Sequence, residues 1–325
     1  MSFASNDYLG LTQHPAVVAA AHTAIDRWGT GAGSARLIVG SRPIHTELEA
    51  AIADWKHAAR AVLFPTGFAA NLGVLTTVAG SGTLLCSDEL NHASIVDGCR
   101  LSRAKVAVYR HGDVDQLRWL LARAEGRRAV VVSDTVFSMD GDVAPVTELE
   151  DACRRSGALL VLDEAHAVLG PEPDLVGVDA LRVGTLSKTL GSLGGFVAGP
   201  VALTELIVNR ARSYVFTTAS TPADAAASLA ALGVVRSAEG AALRQALRAH
   251  VDRVRPGHPS PIVPVILGSE ERTLAAAATL LERGLLVPAI RPPTVPPGSS
   301  RLRVTLSAAH APAHVDALVD ALAVL

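Results

Sequence analysis

The chain has 325 residues, of which 49% are hydrophobic and 18% are charged, and this apolar content excludes an intrinsically disordered protein. Its 29 basic and 31 acidic side chains leave a formal net charge of −2, without the basic excess of a nucleic-acid-binding protein. No apolar stretch reaches the roughly 18 residues of a membrane span, and no secretory signal is visible, so we expect a cytoplasmic protein that binds neither nucleic acid nor membrane.

Seven short segments in the first two thirds of the chain have the composition of buried β-strands. They are rich in Val, Leu and Ala, and they lie at residues 60–64, 83–86, 105–109, 129–133, 158–163, 181–185 and 195–198. Segments with helical spacing of apolar residues separate most of them, for example Ile44, Leu48 and Ile52 behind Pro43. This alternation predicts a mainly parallel sheet covered by helices.

The last third of the chain predicts a second, smaller α/β domain. After Pro222 a long Ala-rich helical stretch leads to a Pro-rich break at residues 256–264. Strand-like segments follow at 262–267 and 301–306, with a helix between them. We therefore expect a large domain over residues 1–225, which includes a short N-terminal segment, and a small C-terminal domain over residues 226–325.

Two glycine-containing turns are similar to nucleotide-binding loops but lack residues that those loops require. The cluster at residues 29–34 follows a helical segment rather than a strand and has Ser34 in place of the third glycine of a dinucleotide site. The segment at residues 184–189 has Ser187 where a phosphate loop requires glycine. A nucleotide-binding module is therefore the weaker alternative.

Lysine is rare in this chain, which has only Lys56, Lys105 and Lys188 among its 29 basic residues. An arginine guanidinium stays protonated, so a lysine in an Arg-rich chain suggests that the primary amine itself is needed. Lys188 follows a predicted buried strand and is flanked by hydroxyl side chains, which suits imine chemistry beside a phosphate. The alternative is a solvated lysine in a surface turn.

An acidic residue and an imidazole lie at the end of the strand predicted at residues 158–163. Asp163 ends that strand and His166 follows shortly after it, at the edge where open α/β sheets bind ligands. One crossover connection separates Asp163 from Lys188, so both side chains can reach one cavity. The structural alternatives are a helix N-cap for Asp163 and a buried core histidine for His166.

Two further turns follow predicted strands. Residues 64–71 join a strand to an Ala-rich helix near Gly67, and helix starts of this kind hold phosphate groups. Residues 91–94 place His92 after another strand end, where it is either a second functional imidazole or simply part of a loop.

The remaining histidines and cysteines do not predict a metal site. His310 and His314 have the spacing of metal ligands, but Pro312 between them disfavours a helical zinc site. The cysteines are too few and too scattered for a disulfide framework or a metal site, and we assign no role to Cys86, Cys99 and Cys153.

Seven short motifs are spread over nearly the whole chain. They are SNDYLGL at residues 5–11, His45 with Leu48 and Glu49, GFAAN at 67–71, HAS at 92–94, FSMDGD at 137–142, DEAH at 163–166 and TLSK at 185–188. Together they resemble the motifs of the α-oxoamine synthases, pyridoxal 5′-phosphate enzymes that join an amino acid to an acyl-CoA with loss of carbon dioxide. The resemblance implies the aspartate-aminotransferase-like α/β fold (PLP fold type I), with a mainly parallel seven-stranded sheet and a smaller C-terminal α/β domain, and pyridoxal 5′-phosphate as cofactor.

The same resemblance implies roles for individual residues around the cofactor. Lys188 would hold it as an imine and act as general base, and Asp163 would pair with the pyridine nitrogen. His166 and Ser138 would bond to the region of the phenolic oxygen, and His92 would stack on the ring. The phosphate would be bound by Gly67, Phe68 and Thr185.

The substrate-binding residues are also implied by the resemblance. Residues 291–296 and 301–303 are similar to those of the biotin-pathway members, which condense L-alanine with pimeloyl-CoA or a pimeloyl carrier protein. Arg303 would bind the amino-acid carboxylate, with Arg301 as its competitor because both share one face of a predicted strand. Thr294 and Asn6 would contact substrate as well.

The resemblance further implies a homodimer with a shared active site, in which Thr217 and Thr218 reach the phosphate of the partner. The chain departs from the family in beginning almost on the SNDYLGL motif and in having a shortened connection after Gly170 and Pro171, with Ala167 in place of the usual glycine. Two alternatives stay open: a condensing enzyme that uses another amino acid, such as a glycine C-acetyltransferase, and a pyridoxal-phosphate-binding homologue with impaired catalysis.

Overall fold

A computed structural model describes residues 1–170, 173, 175 and 177–325. The large sheet contains β1 Arg60–Phe64, β2 Thr83–Asp88, β3 Lys105–Tyr109, β4 Arg128–Asp134, β5 Leu159–Asp163, β6 Ala180–Thr185 and β7 Gly195–Gly199, and the small sheet contains β8 Ile262–Gly268, β9 Ala289–Ile290 and β10 Ser300–Thr305. The helices are α1 Pro15–Trp28, α2 Pro43–Trp55, α3 Gly67–Val78, α4 Ala93–Leu101, α5 Val114–Leu121, α6 Val146–Ser156, α7 Val201–Arg210, α8 Arg212–Val215, α9 Pro222–Val235, α10 Ala238–Val254, α11 Glu270–Glu282 and α12 Pro312–Leu322.

The large sheet has the strand order β1-β7-β6-β5-β4-β2-β3. Strands β6, β5, β4, β2 and β3 pair in parallel, whereas β7 pairs antiparallel with both β6 and β1. The predicted mainly parallel seven-stranded sheet is therefore confirmed, with small shifts at the strand ends. Its central strands are buried on both faces, as their continuous apolar sequences require.

The parallel strands place their carboxyl ends along one edge of the sheet. Asp134 ends β4 and lies opposite Asp163, which ends β5, and Asp163 in turn lies opposite Val183 of β6. The polar residues that follow these strands are thereby collected at one edge, although they are far apart in the sequence.

The long helical stretch predicted after Pro222 is confirmed as helical, but it is not one continuous helix. It is divided into α9 and α10, which meet at an angle of 78°. The break occurs because the Ser237 hydroxyl accepts hydrogen bonds from the N–H groups of Glu239 and Gly240 and thus begins a new helix. Within the described residues no single helix is long and apolar enough to cross a membrane, and this bent pair passes that test only when its two helices are taken together.

The N-terminal segment lies along the end of β10 and the residues that follow it. The Phe3 carbonyl accepts the N–H of Thr305 at 2.8 Å, and the Tyr8 carbonyl accepts the N–H of Ala308 at 2.8 Å. Both aromatic side chains are fully buried. This packing holds Asn6 and Tyr8 between the two sheets, close to the edge where the site lies. Pro171 of the shortened connection lies outside the described residues.

Candidate active site

A cavity of about 190 Å³ lies at the carboxyl edge of the large sheet. It is lined by Gly67, Phe68, Asn71, His92, Ser94, Asp134, Asp163, Ala165, His166, Gly184, Thr185 and Lys188. Seven predicted site residues are therefore brought together, and they lie at or just after the ends of four different strands, β1, β2, β5 and β6. A volume below the roughly 300 Å³ of small drug-binding pockets suits a compact ligand.

Lys188 follows β6 in a turn that is fixed by hydroxyl groups. The Thr185 hydroxyl accepts the N–H of Ser187 at 3.1 Å and donates to the Gly194 carbonyl at 3.0 Å. The turn directs Lys188 into the cavity, where its Nζ lies 2.8 Å from His166 Nε2. Burial lowers the pKa of Lys188, against the opposing charge of Asp163, so the solvated-turn alternative is wrong.

Asp163 is held by two hydrogen bonds inside the cavity wall. Its Oδ2 accepts from Asn71 Nδ2 at 2.6 Å, and its Oδ1 accepts from the N–H of Ala165 at 2.9 Å. Residues 164–170, which directly follow Asp163, contain no helix, so the N-cap alternative is wrong. Asn71 was not predicted as a site residue, although its position in the GFAAN motif on α3 was a usable signal.

Asp134 is a second buried carboxyl group in the cavity that the sequence did not single out. Its Oδ2 accepts the backbone N–H of His92 at 2.7 Å, at the start of α4. Burial, followed by the neighbouring charge of Asp163, raises the pKa of Asp134 well above its usual value. The signal for it was an acidic residue at the end of a buried strand, the same pattern that identified Asp163.

His166 is buried between the lysine amine and a tyrosine. Its Nδ1 lies 2.5 Å from the Tyr8 hydroxyl, opposite the Nε2 that faces Lys188. Burial, together with the positive charges of Lys188 and Arg303, lowers the pKa of His166 well below its usual value. The imidazole is consequently neutral at neutral pH, and its cavity position makes it more than a core histidine.

The first turn of α3 borders the cavity next to Thr185. Thr66 begins the helix, because its hydroxyl accepts the N–H of Ala69 at 3.0 Å, and the N–H groups of Gly67 and Phe68 precede the first intrahelical bonds. A Cβ atom on Gly67 would lie 3.3 Å from the Cβ of Thr185, so glycine keeps the space between them open. This helix start suits an anion.

The predicted substrate residues lie outside the cavity lining, and they differ from one another. Arg303 donates to the Ser138 carbonyl at 2.5 Å, to Thr305 Oγ1 at 2.9 Å and to Asn6 Oδ1 at 3.3 Å. Arg301, in contrast, forms an ion pair with Asp140. Both arginines are buried, but they have different partners.

Several other predicted residues are placed by the structure away from the cavity wall. The backbone carbonyl of Ser138 accepts a hydrogen bond from Arg303. The predicted contact of Ser138 with the phenolic oxygen of the cofactor stays a prediction. Thr294 is exposed. His310 and His314 accept hydrogen bonds from the backbone N–H groups of Ser307 and Ala311, respectively.

The groups around the cavity fit a pyridine ring that carries a phosphate and an aldehyde. The start of α3 offers N–H groups for the phosphate, the buried Asp163 carboxylate suits a protonated ring nitrogen, and the Lys188 amine suits an aldehyde. When the ring is bound, Asn71 and the N–H of Ala165 would keep the carboxylate in place. The residues present are therefore compatible with pyridoxal 5′-phosphate.

Known proteins share both the sequence and the fold of this chain. The model of the aminotransferase class I and II family matches residues 1–322. The 8-amino-7-oxononanoate synthase of Anaeromyxobacter dehalogenans (strain 2CP-1) is 51% identical, over 99% of this chain and 85% of that protein. The protein of the same name from Methylobacterium sp. (strain 4-46) is 48% identical, over 99% of this chain and 86% of its own length.

Solved structures agree with these relatives. A serine palmitoyltransferase of S. paucimobilis with bound PLP and myriocin has a TM-score of 0.94 and 31% identity, over 99% of this chain and 86% of that one. The 8-amino-7-oxononanoate synthase of Francisella tularensis has a TM-score of 0.82 and 25% identity, over 100% and 96%. These neighbours confirm the predicted PLP fold type I and the cofactor. The chain belongs to the aminotransferase class I and II family, and within it to the α-oxoamine synthases, which are pyridoxal-5′-phosphate-dependent transferases.

Proposed function

We propose that this enzyme makes 8-amino-7-oxononanoate from L-alanine and a pimeloyl thioester. The alanine Cα loses a proton and forms a carbon–carbon bond with the thioester carbonyl carbon, and the carbon–sulfur bond breaks so that the sulfur takes up a proton and leaves as a thiol. The Cα–carboxylate bond then breaks to release carbon dioxide, and Cα takes up a proton. One observation carries the proposal: the Lys188, His166 and Asp163 cavity lies in a chain 48–51% identical to synthases of that name.

The cofactor supplies an electron sink that stabilises negative charge at the alanine Cα. Asp163 supports this chemistry because its carboxylate favours the protonated form of a ring nitrogen. Asn71 at 2.6 Å and the N–H of Ala165 at 2.9 Å fix both carboxylate oxygens, which keeps the charge oriented without any movement during the reaction.

Lys188 is the residue best placed to move the Cα proton. Burial lowers the pKa of its amine, so a larger fraction of the amine is neutral and able to accept a proton near neutral pH. His166, whose Nε2 lies 2.8 Å from Nζ, orients that amine without adding a second positive charge, because the imidazole is neutral.

Arg303 would bind the alanine carboxylate. Its three hydrogen-bond acceptors are uncharged, namely the Ser138 carbonyl, the Thr305 hydroxyl and the Asn6 amide. A buried guanidinium without an anionic partner has lost favourable solvation energy. A planar carboxylate would compensate for this loss through charge-assisted hydrogen bonds. Arg301 has a carboxylate already, since it is paired with Asp140, so Arg303 is favoured over its competitor.

Product analysis of the holoenzyme tests the proposed function. We expect 8-amino-7-oxononanoate when L-alanine is supplied with pimeloyl-CoA or a pimeloyl carrier protein, and much slower reaction with glycine or L-serine. Serine belongs in the test because serine palmitoyltransferases share this fold with a TM-score of 0.94. Preference for glycine or serine would contradict the proposal, and so would cofactor binding without any product.

We also propose that the enzyme is a homodimer. Four large apolar side chains are between 50% and 74% exposed, namely those of Leu37, Ile38, Val39 and Phe216. Contact between such apolar surface and water is unfavourable, and a partner subunit that covers these side chains would remove it. Thr217 and Thr218 follow Phe216 directly and would reach the partner's site. Light scattering of the full chain should give twice the 33.6 kDa monomer mass, and a monomer would contradict the proposal.

Two further expectations stand as proposals. We place the protein in the cytoplasm, supported by three free buried cysteines, which suit a reducing compartment. We also retain residues 1–225 and 226–325 as two domains, supported by the two separate sheets. The boundary falls inside α9, so limited proteolysis that cuts only elsewhere would contradict it.

A further inference from the structure

A row of hydrogen-bonded side chains leads from the lysine amine to the substrate arginine. Lys188 Nζ lies 2.8 Å from His166 Nε2, and His166 Nδ1 lies 2.5 Å from the Tyr8 hydroxyl. The hydroxyl lies 3.2 Å from Asn6 Oδ1, which also accepts from Arg303 at 3.3 Å. Tyr8 is the central member of this row, and the proposed mechanism gives it no role.

Packing and backbone hydrogen bonds outside the cavity hold Tyr8 in place. Its side chain is fully buried, and its backbone carbonyl accepts the N–H of Ala308 at 2.8 Å. Its backbone N–H donates to the Asn6 carbonyl at 2.9 Å. The phenol therefore has little freedom to turn away from His166.

The hydrogen-bond donors and acceptors of the row favour one arrangement when the Lys188 amine is neutral or engaged by the cofactor, since a protonated amine 2.8 Å from His166 Nε2 could only donate to it. Arg303 can only donate, and its Nη2 donates to Asn6 Oδ1 at 3.3 Å, so that amide oxygen already has a hydrogen-bond donor. The single hydroxyl proton of Tyr8 is then available for either His166 Nδ1, at 2.5 Å, or Asn6 Oδ1, at 3.2 Å. The shorter distance favours Nδ1.

We propose that Tyr8 is a positioning residue that holds neutral His166 in the tautomer with its proton on Nε2. A proton donated by Tyr8 to Nδ1 requires Nδ1 to be unprotonated, so the imidazole proton lies on Nε2 and faces the cavity. His166 then donates a hydrogen bond toward the bound cofactor, at the phenolic oxygen that the family resemblance assigns to it. The inference concerns the same site as the proposed function, but the tautomer does not depend on which substrates react there.

Nitrogen-15 NMR of the imidazole rings in the full-length holoenzyme tests the tautomer directly. The His166→Asn variant assigns the His166 signals. We expect the unmodified protein to show a protonated Nε2 and an unprotonated Nδ1, and the Tyr8→Phe variant to show a mixture of tautomers. Tyr109→Phe is the matched control, since Tyr109 is also buried but lies on the edge strand β3, and it should leave the His166 signals unchanged.

A second measurement follows the cofactor. Tyr8→Phe should weaken pyridoxal 5′-phosphate binding about 2- to 10-fold, the effect of one neutral hydrogen bond, and should shift the pH dependence of its visible absorption. The control should change neither quantity. A proton on Nδ1 in the unmodified protein would overturn the proposal even if Tyr8→Phe failed to fold, and so would an unchanged tautomer in that variant.

The NMR result is independent of the reaction catalysed. If the tautomer responds as expected but no 8-amino-7-oxononanoate is formed, the proposed function fails and the role of Tyr8 stands. If product is formed but His166 carries its proton on Nδ1, the role of Tyr8 fails and the proposed function stands.

Discussion

Two lysines of this Arg-rich chain lie beside consecutive acidic residues, yet their surroundings differ. Lys56 Nζ lies 2.9 Å from Glu164 Oε2, with both side chains 3% exposed, and it packs over the Trp55 ring. Lys188 lies in the cavity with Asp163, and its amine contacts a neutral imidazole. The first lysine is matched by a charge and contributes to stability, whereas the second has a lowered pKa and is available for chemistry.

Glu164 also links this comparison to the rest of the fold. Its Oε1 accepts from Arg182 Nε at 2.5 Å, so the carboxylate lies between two cations. Removing one partner of a buried ion pair leaves an uncompensated charge, which is costly. Changes at Glu164 and Lys56 should therefore affect unfolding, and changes at Asp163 and Lys188 should affect the reaction.

The largest expected effect comes from Lys188. Lys188→Ala should lower the rate of product formation at least about 10³-fold, because it removes both the cofactor attachment and a general base. Borohydride reduction of the unmodified holoenzyme, followed by peptide mapping, should place the label on Lys188. A label on Lys56 or Lys105 would show that Lys188 is not the residue that holds the cofactor. Lys105→Ala, on the exposed edge strand, serves as the control.

Asp163→Asn should come next in effect. The neutral amide cannot favour a protonated ring nitrogen, so the rate should fall by about 10²- to 10³-fold, as for other preorganised charges, while the cofactor still binds through its phosphate. Steady-state rates and a thermal unfolding curve measure the two properties separately. A near-native rate would show that the charge of Asp163 is not needed.

Lys56→Met should affect the stability of the fold rather than the reaction. Glu164 keeps Arg182 as its remaining cation, so the free energy of unfolding should fall by about 1.5–3 kcal/mol, the contribution of one hydrogen bond between charged groups, measured by denaturant titration. The rate per folded, cofactor-loaded molecule should stay close to that of the unmodified enzyme. If the rate fell while stability was retained, Lys56 would belong to the reaction rather than to the fold.

The two arginines of β10 differ in the same way as the two lysines, since one is paired with a carboxylate and the other is not, but the expected effect is smaller. Arg303→Ala should weaken the spectral response to L-alanine by roughly 10- to 150-fold, the effect of one charge-assisted contact. Arg301→Ala should weaken it much less, because Arg301 is paired with Asp140. Equal alanine binding by the Arg303 variant would place the carboxylate site elsewhere.

The smallest expected effect concerns a histidine with the opposite pKa shift to that of His166. His111 lies 3.1 Å from Asp88 and 2.6 Å from Asp142, and these carboxylates raise its pKa against the effect of burial. The stabilisation is fully present below the unfolded pKa of 6.5 and is lost as the pH rises through the raised folded value. Thermal unfolding of His111→Asn should lose this pH dependence, and an unchanged profile would contradict the assignment.

The sequence predicted the parts of this molecule that depend on local pattern. Apolar runs identified the strands, and the rule that ligands bind at strand ends brought Asp163, His166 and Lys188 together. The resemblance to the α-oxoamine synthases added Gly67, Phe68 and Thr185, which the structure places beside them.

The contacts that tune the site could not be read in the same way. Tyr8 bonds to a residue 158 positions away, and Asn71 to one 92 positions away, so neither partner is visible from spacing. Asp134 had the pattern of a strand-end acid, but nothing local indicated that its carboxylate accepts the N–H of His92, the residue before α4. The break between α9 and α10 depended on one serine whose capping bond competes with a continuous helix.

The contact of the N-terminal segment with β10 has a consequence for the order in which the protein folds. The Asp7 carbonyl accepts from the Ser307 hydroxyl across 300 positions of sequence, so this end of the molecule closes a very long loop. Such contacts are entropically expensive and form slowly. During synthesis the segment that carries Asn6 and Tyr8 cannot reach its final position until residues 300–308 have left the ribosome. The large sheet can therefore be assembled well before this segment is fixed in place, and the site is completed only after β10 has been synthesised.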